Sequence, residues 1–316
     1  MIENLLLFLF SLFLVVKGAT LSTKYAARIA EGFHLSKYTV GFIVIAIISI
    51  LPETFISLNA ALNGMPEFGL STLFGSNVAD LTLVVALIIL FARRSIVVES
   101  KILKNNKLYP FLLLLPLVLG LDGAFSRLDG AALIIAGIVF YYRSFKSGSG
   151  GSLEPHGASH DWRNVPWLLF SVGLLLVGSH FTVESATVLA HAIGVSPTLI
   201  GMLVVGLGTT MPELFFSLKS VRRHNDSLAE GDILGTVLAD ATVVVGILAL
   251  VAPFSFPVRI IYITGMFMVA AAFILFRFMR SGQMISRRES YLLIMFWLVF
   301  VIFEFIANQL AFSGIL

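Results

Sequence analysis

Apolar stretches of about 20 residues or more, separated by short polar connections, recur from one end of this chain to the other. About 20 residues of α-helix cover the roughly 30 Å of a bilayer core. The pattern predicts ten helices, over about 3–31, 37–63, 68–92, 107–121, 129–146, 164–192, 197–223, 229–252, 257–280 and 288–312. The opening run MIENLLLFLFSLFLVVKG reads as the first span rather than a signal peptide. Its first charge, Glu3, is acidic, and no small-residue cleavage site follows.

Basic residues fix the expected orientation. Of 21 Lys and Arg, all but Arg127 and Arg259 fall on one side of the spans. Cytoplasmic loops carry such an excess, which places both termini outside the cytoplasm. Five spans per half is an odd number, so the two halves enter the membrane in opposite sense. The turn Asn63-Gly64-Met65-Pro66 is then external and Arg222-Arg223-His224-Asn225 cytoplasmic.

Composition agrees with a membrane chain and narrows the chemistry. The 316 residues are 58% apolar and 12% charged, with mean hydropathy +0.97, whereas soluble chains carry about 25% charge. The net charge of +3 comes from short loops, and no basic patch interleaved with aromatics suggests nucleic acid. With no cysteine, disulfides, iron–sulfur clusters and thiolate metal sites are excluded.

A duplication lies beneath the apolar pattern. Gly41-FIVIAIISIL-Pro52-Glu53-TFIS ends in Phe74-Gly75-Ser76-Asn77-Val78-Ala79-Asp80. Gly201-MLVVGLGTTM-Pro212-Glu213-LFFS ends in Leu234-Gly235-Thr236-Val237-Leu238-Ala239-Asp240. Glu53 matches Glu213 and Asp80 matches Asp240, both at an offset of 160 residues. Gly18, Ala26 and Ser36 match Gly178, Ala186 and Ser196 in the same register. The expected fold class is an all-α membrane protein of ten transmembrane helices in two inverted five-helix repeats, with broken helices at the centre. Its parts are 1–146, a flexible Gly/Ser/Pro-rich cytoplasmic linker 147–163, and 164–316. Inverted duplication of this kind marks secondary transporters, with the site near the midplane.

The matched segments carry the candidate chemistry. Intramembrane carboxylates are costly and by default functional. Pro52 and Pro212 each remove a backbone donor and crowd the carbonyl four residues earlier, freeing carbonyls near Ile48 and Gly208. Each break thus gathers carbonyls, hydroxyls (Ser49; Thr209 and Thr210) and one carboxylate within two turns. Ser76 and Asp80, like Thr236 and Asp240, are four apart and share a helix face. Oxygen-only ligands suit Na⁺, Ca²⁺ or Mg²⁺. Four such acids cannot all stay ionised without a cation, because two like charges about 4 Å apart repel by roughly 4 kcal/mol at an effective dielectric of 20. Either a cation or protons must relieve them, and competition between the two is a physical basis for exchange.

GLGTTMPELFFS with LGTVLAD resembles the second alpha-repeat of the cation/calcium exchanger superfamily, the sodium/calcium exchangers. IISILPETFIS with FGSNVAD resembles the first. The resemblance implies that Glu53 and Glu213 are the Ca²⁺ carboxylates. It implies that Ser49, Thr209, Thr210, Ser76 and Thr236 are ion-lining hydroxyls, that Asp80 and Asp240 line the centre, and that Ala46 and Gly206 offer carbonyls. It also implies alternating access by sliding of the first and sixth helices. Three departures stand out: Ile48-Ser49-Ile50 where the family has Gly-Thr-Ser, Asp80 where asparagine is common, and Val237 opposite Asn77. More carboxylate and fewer hydroxyls leave the counter-ion open between Na⁺ and H⁺.

The function expected is a secondary antiporter moving Ca²⁺ against Na⁺ or H⁺ in the cell membrane, with membrane lipid and inorganic cations as its partners and no obligate protein partner evident. The alternatives are a proton exchanger of another cation and a passive channel. No resident cofactor and no enzymatic turnover are expected, since no nucleotide-binding glycine loop or catalytic motif accompanies the acids. Outside the matched segments the plain readings are preferred. Glu304 and Asn308 read as helix–helix contacts, His180, His191 and Glu184 as interfacial or packing groups, and His156 and His160 as solvated linker residues. Lys17 reads as a side chain reaching for the cytoplasmic surface.

Overall fold

A computed structural model describes residues 2–30, 45–98, 108–148 and 162–312. Ser36, Gly41, His156 and His160 lie outside the described residues. The helices are α1 (Ile2–Ala30), α2 (Ala46–Leu62), α3 (Pro66–Ala92), α4 (Tyr109–Leu119), α5 (Arg127–Gly148), α6 (Val165–Ile193), α7 (Pro197–Arg222), α8 (Asp226–Val251), α9 (Ile260–Arg280) and α10 (Arg287–Phe312). Among the described residues seven helices are long and apolar enough to cross a membrane: α1, α3, α6, α7, α8, α9 and α10. The expected starts near 68 and 229 move to the matched positions Pro66 and Asp226. Proline suits the first turn of a helix, where its missing N–H is not needed. The expected helix over 107–121 is shorter and interrupted at Leu113, because Pro116 cannot donate to the carbonyl of Leu112.

Burial sorts the helices into an inner and an outer set. Along α3 and α8 nearly every residue is buried, from Phe68 to Asp80 and from Ala229 to Asp240. The outer helices present apolar side chains outward, among them Leu5, Phe10 and Phe13 on α1, Phe170 on α6 and Phe303 on α10. An exposed apolar face of this kind is what lipid covers. Arg28 lies over the Tyr25 ring and Lys17 over the Phe13 ring, so their charges are held by aromatic faces on α1 itself.

Contacts recur in sets that share the duplication offset. Gly18 of α1 abuts Ser171 and Leu175 of α6, while Gly178 of α6 abuts Ser11 and Val15 of α1. Ser22 donates to Ser171 at 2.9 Å, and Thr182 donates to Ser11 at 3.1 Å. Asn77 Nδ2 donates to the Val237 carbonyl at 3.3 Å, so this residue meets its own counterpart. Two short antiparallel pairs join the halves: β1 (Ile96–Val97) with β4 (Met284–Ile285), and β2 (Ala124–Phe125) with β3 (Phe254–Ser255). Left-handed turns also match, at Gly64 and His224 and at Gly123 and Gln283.

Both Pro-Glu helices break where the sequence places the proline. In α2 the helical segment Ala46–Ser49 gives way at Ile50 to Leu51–Leu62. In α7 the segment Gly206–Thr209 gives way at Thr210 to Met211–Arg222. A π-helical turn opens at each matched aspartate, Asp80–Val84 in α3 and Asp240–Val244 in α8, and others cover Gly201–Val205 in α7 and Ile260–Gly265 in α9. Such single widened turns concentrate at functional sites, and nothing in the apolar pattern announces them.

Candidate ion-binding site

Each acid sits where its helix departs from regular geometry. Glu53 and Glu213 occupy the first turn after their breaks, where unsatisfied N–H groups give the helix end its positive character. Asp80 and Asp240 begin the π turns. All four are at most 1% exposed, and among the described residues none of their eight carboxylate oxygens has a hydrogen-bond partner. Asp80 lies in the field of Glu53, Glu213 in the fields of Glu53 and Asp80, and Asp240 in the fields of Glu53 and Asp80. Acids far apart in sequence are therefore gathered into one buried region. Arg94 pairs with Asp226 at the start of α8, and among the described residues no ion pair reaches these four acids.

The hydroxyls fall into three groups. Thr209 donates to the Gly206 carbonyl at 2.9 Å, Thr210 to Leu207 at 3.0 Å and Ser76 to Leu73 at 3.0 Å. Their protons are thus spent on their own helices, and their oxygens keep lone pairs. The Thr209 hydroxyl also lies beside Glu53, which brings the second half against the first. Thr236 Oγ1 is buried with no hydrogen-bond partner among the described residues. Ser49 alone points its proton across the structure, to Asp232 at 3.1 Å.

Of the carbonyls at each break, those of Ile48 and Gly208 stand four residues before Pro52 and Pro212, which have no N–H to give them. Ala46 accepts from the Ile50 N–H at 3.0 Å and Gly206 from the Thr210 N–H at 3.2 Å. A second lone pair on each remains. Among the described residues no three acid or histidine side chains stand at metal-ligand spacing. A cation here would take one or two carboxylates directly and complete its shell with carbonyl and hydroxyl oxygens, a donor set suited to hard cations.

One residue of this region escaped the sequence reading. Asp232 is fully buried and accepts from both Ser49 and Ser217, each at 3.1 Å. It also lies in the fields felt by Asp80 and Glu213. Its spacing to Thr236 and Asp240, four and eight residues, was the available signal. It has no acidic counterpart in the first half, where position 72 is threonine. Glu304 and Asn308 do bridge helices, as expected: Thr264 donates to Glu304, and Ser196 donates to Asn308. The described contact of His180 is the Phe181 ring.

Family comparison fits this geometry. Residues 3–146 and 164–306 match the sodium/calcium exchanger protein family. The chain belongs to that family. It is 31% identical over 240 residues to an uncharacterized membrane protein of Methanocaldococcus jannaschii, covering 74% of this chain and 77% of the other. It is 23% identical over 349 residues to the sodium/calcium exchanger MaX1 of Methanosarcina acetivorans, covering 96% and 98%. The solved structure of the sodium-calcium exchanger NCX_Mj soaked with 2.5 mM Na⁺ and 0.1 mM Sr²⁺ aligns with TM-score 0.71 and 26% identity, over 94% of this chain and 97% of that one. The exchanger-family chain is thus a multi-pass integral membrane antiporter rather than an enzyme. The stretch between the two matched segments, 147–163, coincides with the Gly/Ser-rich linker.

Proposed function

We propose that this exchanger moves Ca²⁺ across the cell membrane against Na⁺ or H⁺ by alternating access. The observation that carries the reading is the pairing of Glu53 with Glu213 and Asp80 with Asp240, four buried acids whose oxygens have no hydrogen-bond partner among the described residues. In this reading Glu53 and Glu213 are the principal Ca²⁺ carboxylates and Asp80 and Asp240 line the centre. Ser49, Ser76, Thr209, Thr210 and Thr236 supply hydroxyl oxygens, and Ala46 and Gly206 supply carbonyls. A cation offsets the mutual repulsion of the acids, and a leaving cation must be replaced by other positive charge. That requirement couples the two fluxes.

The same proposal takes 1–146 and 164–316 as inverted five-helix repeats making ten spans, with 147–163 as cytoplasmic linker and both termini outside. The matched contacts of α1 with α6, and the meeting of Asn77 with Val237, support a two-fold relation. The close glycine contacts of α1 with α6 give these two helices a smooth shared face, suited to sliding over the inner helices.

The test is ⁴⁵Ca²⁺ uptake into proteoliposomes under an imposed Na⁺ gradient and, separately, an imposed pH gradient. Uptake driven by either identifies the counter-ion; Glu53→Gln and Glu213→Gln should each abolish it. Wild-type uptake in both variants would defeat the site assignment. Flux that needs neither gradient nor counter-ion would make the protein a channel.

A further inference from the structure

We propose that Asp232 is a positioning residue of the ion site, orienting the Ser49 hydroxyl toward the cation and making the two halves of the site unequal. The inference rests on the exchange reading above. Asp232 stands one turn before Thr236 and two turns before Asp240, on the same face of α8. Ser49 Oγ, from the break in α2, donates to Oδ1 at 3.1 Å. Ser217 Oγ, one turn beyond Glu213 on α7, donates to Oδ2 at 3.1 Å. One carboxylate thus ties the first Pro-Glu helix to the second.

The matched residues of the other half behave differently. Thr209, the counterpart of Ser49, gives its proton to the Gly206 carbonyl of its own helix at 2.9 Å. Thr72, the counterpart of Asp232, donates to the Phe68 carbonyl at 2.8 Å, and Ser57, the counterpart of Ser217, to the Gly69 carbonyl at 3.3 Å. A hydroxyl has one proton and two lone pairs. With its proton fixed on Asp232, Ser49 turns its lone pairs away from that carboxylate. An anionic acceptor also makes the hydroxyl oxygen a better ligand. Beside this bridge stand two groups that call for positive charge or a donor: Thr236 Oγ1 and the Glu213 carboxylate, both buried and without a hydrogen-bond partner among the described residues.

The test is a double-mutant cycle on the purified full chain, read as the Ca²⁺ and Na⁺ concentrations that half-saturate the cation-induced rise in melting temperature. The same variants are assayed for uptake. Asp232→Asn should raise the half-saturating concentration of at least one cation by about tenfold, the usual scale for removing a ligand's supporting group. Its melting temperature in choline chloride should stay at the wild-type value. In a Ser49→Ala background the same change should have less than about a threefold effect, because Ser49 is the route by which Asp232 acts. Should Asp232→Asn fail to fold, Asp232→Thr, the residue this fold carries at position 72, takes its place in the cycle. Additive effects of the two substitutions, unchanged half-saturation, or no cation-induced rise in the wild type would each overturn the assignment. Coupled shifts in melting with no exchange activity in wild-type vesicles would sustain Asp232 and defeat the exchange reading instead.

Discussion

Gly75→Ala probes how closely α3 and α7 must pack to build the site. Gly75 precedes Ser76 on α3 and faces Met202 on α7. A Cβ on this backbone would lie 2.4 Å from the Met202 carbonyl oxygen, 2.6 Å from its Cγ and 2.9 Å from its Cα. Non-bonded contacts of carbon settle at about 3.5 Å or more, so the helices must part by roughly 1 Å. Two of the three atoms struck are backbone and cannot rotate aside. The cost should be about 1–3 kcal/mol, the range for overfilled cores, and toward its upper end. Function should suffer beyond stability, since Gly206 rests on the same stretch, 3.1 Å from the Ser76 nitrogen when given a Cβ. Parting α3 from α7 pulls the Gly206 backbone away from Ser76, and uptake should fall by about tenfold or more. Melting temperature in detergent and ⁴⁵Ca²⁺ uptake at matched reconstitution measure the two effects. Gly173→Ala is the control: nothing lies within 4 Å of a Cβ there, and alanine favours a helix by about 1 kcal/mol. Wild-type melting and transport in Gly75→Ala would refute the reasoning, as would an equal loss in Gly173→Ala.

Other expectations follow from single contacts. His224 holds φ at 58° where its counterpart is Gly64; His224→Gly should raise stability by about 1 kcal/mol, read as a higher melting temperature. Arg94 pairs with Asp226 and donates to the Val221 carbonyl at 3.2 Å. Arg94→Ala leaves Asp226, 8% exposed, without its counter-charge and should cost about 1–3 kcal/mol, with added protease sensitivity at the 222–226 turn. The Tyr141 hydroxyl donates to the Gly235 carbonyl at 2.6 Å, so Tyr141→Phe should lower the melting temperature by the equivalent of about 1 kcal/mol while leaving ion selectivity intact.

The sequence by itself determined the membrane class, most helix positions, the two breaks and the four matched acids. Apolar length, proline geometry and a constant offset are local properties, and they survive without knowledge of what packs against what. The limits of α4 needed one further local rule, the donor that Pro116 lacks. Partners were another matter. That Ser49 bonds Asp232 while its counterpart Thr209 bonds its own helix follows from which residue α8 places opposite each break, across 183 residues of sequence. The π turns at Asp80 and Asp240 likewise depend on the backbone path. Tertiary structure alone decided these, because a hydroxyl or carbonyl carries the same sequence whichever acceptor or donor the fold brings within 3 Å of it.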